Sequence, residues 1–494
     1  MFFCGGGPGG GAPIVGDGVL SRHRAVLERS GERLADGQPF LLRPDGFADV
    51  RVNQWFESDE MLVLRASTWR KYAYSLLIWL NFLTACGVEW DAASRRDQHA
   101  FKTWRMTDPR NPRAVRSGTY HHDLIAVSQF YAWAGIEFGI VNPVTTRRGR
   151  FRARNGERRQ EPETKPSGSR DRDVKWFDPA GYRRYRDVGL LGLNSEGLDD
   201  PGFRGRNPQR DGAFADGLFG TGLRLQEWGS VLSCELPEDD PGRYYMVCNL
   251  AGETAKGGFG RRYWLPRRVL TTALSYFEGE RASAVRRARS AGRYEKMLRD
   301  SGTWVIAEVN SARRVTLSRS DGARRRVSLD SLSPGERRKL LVKKPDGMEP
   351  AAVWLNEDGL PRDPHGWSHT FDTANRRLER LGLLGFAGAA HMLRHSFALR
   401  WYSVGRLMYD KHFAHLTEDE LRDYRAQFGN AWDLVQMLLG HRSPETTREI
   451  YLEPFRSLDM ELLFVQAAEE TVPQLMAALF AGDRRILGDP LAAR

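Results

Sequence analysis

Cysteine is scarce in this chain: four residues, Cys4, Cys86, Cys234 and Cys248, among 494. No two of them form a C-x-x-C pair, so neither a disulfide framework nor a structural zinc cluster is expected, and reduced cytoplasmic thiols are the default. Long hydrophobic runs are lacking as well. The most apolar stretch, residues 74–86, is interrupted by Asn81 and is shorter than the roughly 20 residues that cross a bilayer. The opening MFFCGGGPGGGAPIVGDG has no basic start, apolar middle or small-residue cleavage site of a secretory signal. The sequence therefore predicts no membrane association and no export. A phosphate-cradling loop is missing too. G-x-G-x-x-G occurs at residues 5–10, but inside low-complexity sequence, and G-K-[ST] occurs nowhere. No nucleotide cofactor is expected.

Positive charge is what the chain has in excess. Its 74 Lys and Arg less 63 Asp and Glu leave +11, which favours a polyanionic partner, nucleic acid first. Hydrophobic residues at 41% and aromatics at 11% indicate folded domains rather than wholesale disorder. Residues 1–60 read as a Gly-rich tail and extension. Residues 61–145 read as an all-helical unit, with Tyr72, Leu76, Leu77, Leu80 and Leu83, then Leu124, Val127, Phe130, Tyr131 and Ala134, recurring at threes and fours as core positions. Residues 146–175 carry eleven Lys and Arg against five Asp and Glu, a net of +6, and residues 146–176 read as a basic linker. Residues 177–460 return to globular composition. A basic stretch at residues 283–344 lies within them and holds a hairpin signal at Asp321-Gly322. The tail, residues 461–494, is apolar at Leu462, Leu463, Phe464, Val465, Leu475, Met476, Leu479 and Phe480.

Four segments stand out chemically. TGLRLQEW at residues 221–228 has a turn glycine, Gly222, before Arg224; TAKGGFGRRYWLP at 254–266 places Lys256 at a Gly-rich hairpin tip. HMLRHSFALRWY at 391–402 puts His391 and Arg394 at i and i+3 of a helix, and LLGHRSPETTREIYLEP at 438–454 holds His441 and, ten residues on, Tyr451. Each segment alone reads as ordinary surface, packing or capping residues. Together they answer one problem, phosphodiester transesterification without metal. Attack builds charge on the nonbridging oxygens of a pentacoordinate transition state, which the guanidinium forks of Arg224 and Arg394 can meet. A phenol, with an ordinary pKa of ~10, is a nucleophile that can also leave, which suits Tyr451. The imidazole of His391 and the ammonium of Lys256 fit the two proton transfers, and His441 would orient the phosphate or the phenol.

At these residues the sequence closely resembles the tyrosine recombinase, or phage integrase, family. The ordered set Arg224, Lys256, His391-x-x-Arg394, His441 and Tyr451 matches the family's catalytic constellation residue by residue, and the likeness extends over about residues 60–460. The resemblance implies a mainly α protein: an all-helical core-binding domain, then an α-rich catalytic domain with a small antiparallel β-sheet, together a C-shaped clamp around double-stranded DNA. It further implies a 3′-phosphotyrosyl intermediate formed by Tyr451 without metal or ATP, strand exchange in a homotetramer, and possible accessory bending or directionality factors. The interval from His441 to Tyr451, ten residues, is one more than in many members, worth ~100° of helical rotation. Residues 405–429 and 283–344 read as insertions. The resemblance also implies that a segment after the nucleophile enters a neighbouring subunit.

Three other readings are open to these residues. A type IB topoisomerase would use similar groups for relaxation alone, and a non-catalytic DNA-binding protein would have no need of the six residues. A metal-dependent transposase would need converging carboxylates, whereas Asp199-Asp200 and Asp239-Asp240 read as loop acids. His121-His122-Asp123 is a weak metal candidate, since adjacent helical histidines point apart.

Overall fold

A computed structural model describes residues 2–3, 37–43, 45–152, 158–166, 175–300, 302–311, 313–413, 417, 419–420, 422–423, 431–440 and 486–491. The chain divides into two compact units, Met1–Arg172 and Asp173–Arg494. Most described regular structure is helical, and among the described residues no helix is long and apolar enough to cross a membrane.

The first unit is built on α1 (Val50–Glu57), α2 (Ala66–Ala85), α3 (Arg95–Met106) and α4 (Ser117–Phe138). Leu76, Leu83, Leu124, Val127, Phe130, Tyr131 and Ala134 are buried as the periodicity requires, and Tyr72, Leu77 and Leu80 pack at the margin. Helix α1, in the stretch read as an extension, also belongs to this core. Val52, Trp55 and Phe56 are buried, and the Trp55 ring meets Phe130 edge-on at 5.4 Å. An eight-residue amphipathic segment is too short to declare its period. Asp123 is buried between Ser75 Oγ at 2.6 Å and Arg105 Nε at 3.0 Å. Its charge is thus engaged structurally, and no metal-holding cluster occurs among the described residues.

The expected linker is partly folded. β1 (Thr146–Arg152) and β2 (Arg158–Pro162) pair antiparallel, with Thr146 opposite Pro162 and Arg148 opposite Gln160. Buried Thr164 then accepts a hydrogen bond from Gln98 Nε2 at 2.7 Å, and Arg95 pairs with Glu163 at 2.9 Å. Both strands are arginine-rich in sequence, so the apolar alternation that announces a strand is missing.

In the second unit, α6 (Pro208–Thr221), α8 (Arg267–Tyr276), α10 (Pro364–Arg380) and α11 (Ala390–Phe413) surround a core that includes Phe214, Leu218, Trp228, Trp354, Trp367 and Leu393. Before α6 come β3 (Trp176–Phe177) and α5 (Pro179–Arg184), after it the short α7 (Leu225–Gly229), and α9 (Ala282–Ser290) follows α8. The hairpin of β4 (Tyr245–Leu250) and β5 (Arg261–Pro266) is antiparallel, as expected. Residues 283–344, the stretch read as an insertion, form a second, larger sheet together with the residues that follow up to Pro350. It comprises β6 (Trp304–Ser311), β7 (Arg314–Ser318), β8 (Arg324–Ser328), β9 (Leu340–Lys344) and β10 (Gly347–Pro350) in the order β8-β7-β6-β9-β10. The β6–β9 pair is parallel, so the sheet content exceeds one small antiparallel sheet. Asp321-Gly322 does turn the β7–β8 hairpin, with Gly322 at φ 84°. Buried Arg337 ties the insertion to the body through Glu235, at 2.7 and 3.0 Å, and the Ser230 carbonyl at 3.1 Å.

The acid pairs are separate structural elements. Asp200 accepts from Arg377 at 2.6 Å and Asp239 from Arg267 at 2.7 Å. Residues 405–429 begin inside α11 and continue largely outside the described residues, as do residues 461–480 altogether. The end of the chain returns to the second unit: Ile486–Leu487 pairs in parallel with Trp176–Phe177, and Arg184 grips Asp489 through two bonds of 3.0 Å.

Candidate active site

Helix α6 ends at Gly222, whose φ of 66° lies in the left-handed region. A Cβ there would also sit 2.3 Å from Phe397 of α11. Only glycine satisfies both demands, and the tight turn delivers Arg224 to the N-terminus of α7. Arg224 donates through Nη1 to Glu227 Oε1 at 2.8 Å, while its backbone N–H donates to Glu227 Oε2 at 2.9 Å. From β5, Arg261 Nη2 donates to the same carboxylate at 2.9 Å. Glu227 is 1% exposed. Burial alone would raise its pKa, but hydrogen bonding and charge from Arg261, with the charges of Arg394 and Arg224, overcome this and bring it to about 2. Three guanidinium groups thus face one carboxylate, leaving positive charge in excess.

Arg394 lies one turn into α11 and is fully buried. Its Nη1 donates to the Gly222 carbonyl, and its Nη2 donates at 2.8 Å to the carbonyl of Leu439, the last residue of α12 (Ala431–Leu439). One side chain therefore ties together segments 172 and 45 residues away in sequence. Phe397 and Ala398 of α11 pack with Val435, Leu438 and Leu439 of α12 around that tie. Gly440, at φ 65°, follows, and a Cβ on it would lie 2.1 Å from Arg261 Cδ. Gly440 of LLGH thereby abuts the arginine that also holds Glu227.

His391 is exposed in the first turn of α11, with its ring edge-on to buried His395 at 4.5 Å. The turn before it is fixed by Asn375, which accepts from Gly388 N at 2.8 Å and donates to Gly388 O at 3.0 Å. Lys256 is exposed on the loop joining β4 and β5, and Arg261 opens the second of these strands. His441 and Tyr451 lie outside the described residues. The segments of Arg224, Arg394 and Leu439-Gly440 are brought together directly, His391 enters on the helix of Arg394, and Lys256 is joined to them through the hairpin.

No family model and no curated protein matches this sequence. The chain is similar to solved structures of site-specific recombinases and integrases. One is XerH recombinase bound to palindromic difH substrate, with 12% identity, 78% of this chain and 77% of that chain covered, and TM-score 0.40. Another is the Tn1549 transposon integrase in complex with transposon right-end DNA, with 12% identity, 87% and 97% covered, and TM-score 0.42. A lambda integrase dimer bound to a COC′ core site gives 12% identity, 89% and 87% covered, and TM-score 0.41. Likenesses this loose assign no activity.

The sequence motifs assign no role to Glu227 or Arg261, although both lie within the quoted segments. Glu227 carries a signal in its i+3 spacing from Arg224 within one turn. Arg261 carries none, because its partner is 34 residues away.

Proposed function

We propose that this protein is a site-specific DNA recombinase, or integrase, that cuts and rejoins double-stranded DNA through a 3′-phosphotyrosyl intermediate. The observation that carries the reading is the tie made by buried Arg394. It joins the turn before Arg224 to the helix end before His441, drawing three of the sequence segments onto one arginine-rich site. In this reading the Tyr451 phenol oxygen attacks phosphorus as its proton passes to His391, and the P–O5′ bond breaks as Lys256 protonates the departing 5′ oxygen. Arg224, a quarter exposed, offers its fork to the nonbridging oxygens. Arg394, being buried, fixes the site's frame and lends its charge, and His441 orients the phosphate or the phenol. Charge stabilisation comes from guanidinium groups, so the reaction needs neither metal nor ATP, and the phosphodiester energy is conserved in the phosphotyrosyl bond. Residues 61–145 serve as the core-binding domain and residues 177–460 as the catalytic domain, acting as a homotetramer on DNA, with accessory factors setting direction.

A duplex selected for binding from a randomised pool supplies the test. Wild-type protein forms a covalent complex with it, whereas Tyr451→Phe binds equally and forms none. Full cleavage by Tyr451→Phe overturns the assignment. Strand exchange between two marked duplexes separates recombination from relaxation alone, which a type IB topoisomerase would give.

A further inference from the structure

The insertion touches the loop that carries Lys256. Its turn Leu329–Ser331 lies against the turn Gly252–Thr254, and a cleft of about 610 Å³ opens between them, lined among others by Arg261, Arg262 and Arg313. Asp330 Oδ1 accepts from the Gly252 backbone N–H at 3.3 Å. Asp330 is itself held: Arg313 Nε donates to its Oδ2 at 2.6 Å, Arg313 Nη2 donates to Oδ1, and Ser328 Oγ accepts from its backbone N–H at 3.2 Å. The hydrogen bond from Arg313, foremost, keeps its carboxyl below the ordinary range, so the acceptor is an anion. Across the loop's neck, a Cβ on Gly260 would lie 2.8 Å from the Leu250 carbonyl and 3.7 Å from Asp330 Oδ1. Both ends of the ten-residue loop, Ala251 to Gly260, therefore close beside one carboxylate.

We propose that Asp330, supplied by the insertion and oriented by Arg313, is a positioning residue that braces the base of this loop and so sets where Lys256 delivers its proton. This rests on the reading of Lys256 as the group that protonates the 5′ oxygen. An unbraced loop places the ammonium over a wider volume, and proton transfer tolerates little displacement from hydrogen-bond reach. The Arg313 side chain that Asp330→Ala leaves without this carboxylate is 28% exposed, so water can solvate its charge when the brace is removed. Asp330→Asn keeps an oxygen for the Gly252 amide.

The experiment compares cleavage of a normal duplex with one whose scissile 5′ bridging oxygen is sulfur. When the P–S bond breaks, the thiolate leaves with its electron pair and needs no proton, a thiol pKa being ~8.5. Asp330→Ala should cleave the normal duplex on the order of 10-fold more slowly, a fraction of the ~10²–10⁴ a general acid supplies. On the sulfur duplex Asp330→Ala should match wild type, as should Lys256→Ala, while Asp330→Asn stays near wild type on both. Equal slowing of Asp330→Ala on both duplexes, or none on either, overturns the proposal. So does a Lys256→Ala defect that sulfur fails to rescue. Should no variant and no duplex give a covalent complex, the recombinase reading is what fails, and hydrogen exchange of residues 251–260 still reads the brace. Faster exchange in Asp330→Ala supports it, and unchanged exchange overturns it.

Discussion

At the scale of single residues, the site is organised around a carboxylate rather than around its cations. Glu227 holds Arg224 and Arg261 and feels Arg394, and its pKa falls from 4.5 to about 2. A folded pKa below the unfolded one contributes stability that is fully present above the unfolded value and is lost as pH falls through the folded one. Urea denaturation should therefore show stability declining from pH 4.5 towards pH 2, with a shallower decline in Glu227→Gln. Identical slopes would deny the carboxylate this role. Removing it altogether, as Glu227→Ala, leaves uncompensated guanidinium charge and should cost about 3–5 kcal/mol. Arg224→Ala should slow strand cleavage by on the order of 10² with DNA affinity nearly retained, by analogy with the loss of one oxyanion donor. Arg224→Lys should recover little, because an ammonium cannot present a planar fork; a single-turnover assay decides both. Arg224, Lys256, His391 and Arg394 stand out in the sequence because the proposed reaction would use those side-chain types, and the order in which they occur is what the family resemblance rests on. The burial of Arg394 was not, since its two carbonyl partners come from distant turns that no local pattern marks.

At the scale of elements, glycine at two turns decides whether the motifs meet. Gly222→Ala would combine a left-handed backbone with a Cβ driven into Phe397, costing about 2–4 kcal/mol. It should also displace the carbonyl that Arg394 holds. Denaturation midpoint and cleavage rate should fall together, and a stable, fully active Gly222→Ala would contradict the described turn. The end of the chain offers a second test. Truncation after residue 485 removes the Ile486–Leu487 strand and the Asp489 partner of Arg184, and the melting temperature should drop by several degrees; an unchanged one would deny this docking. Helices α2 and α4 and the hairpins at Lys256 and Asp321-Gly322 could be read from period and turn chemistry, because one face of each helix and the tip of each hairpin obey local rules. The β1–β2 hairpin and the five-stranded sheet could not. The first is arginine-rich in sequence, and in the second the parallel β6–β9 pairing joins segments that share no turn.

For the whole molecule, the excess of +11 together with the arginines in the sequences of β1, β2 and β8 sets the expected binding physics. If about six phosphates are neutralised, affinity for duplex DNA should fall ~10³-fold between 50 and 200 mM salt, and a salt-independent affinity would argue against the DNA reading. The central claim is that Tyr451 becomes joined to a DNA 3′ phosphate in a reaction that uses no metal. It is tested most directly by trapping the adduct in EDTA on a nicked duplex, digesting it with trypsin and locating the modified peptide by mass spectrometry. The expected result is a 3′-linked oligonucleotide on Tyr451 at a yield unaffected by EDTA. An adduct at another residue, a 5′ linkage, or a strict need for magnesium would contradict it.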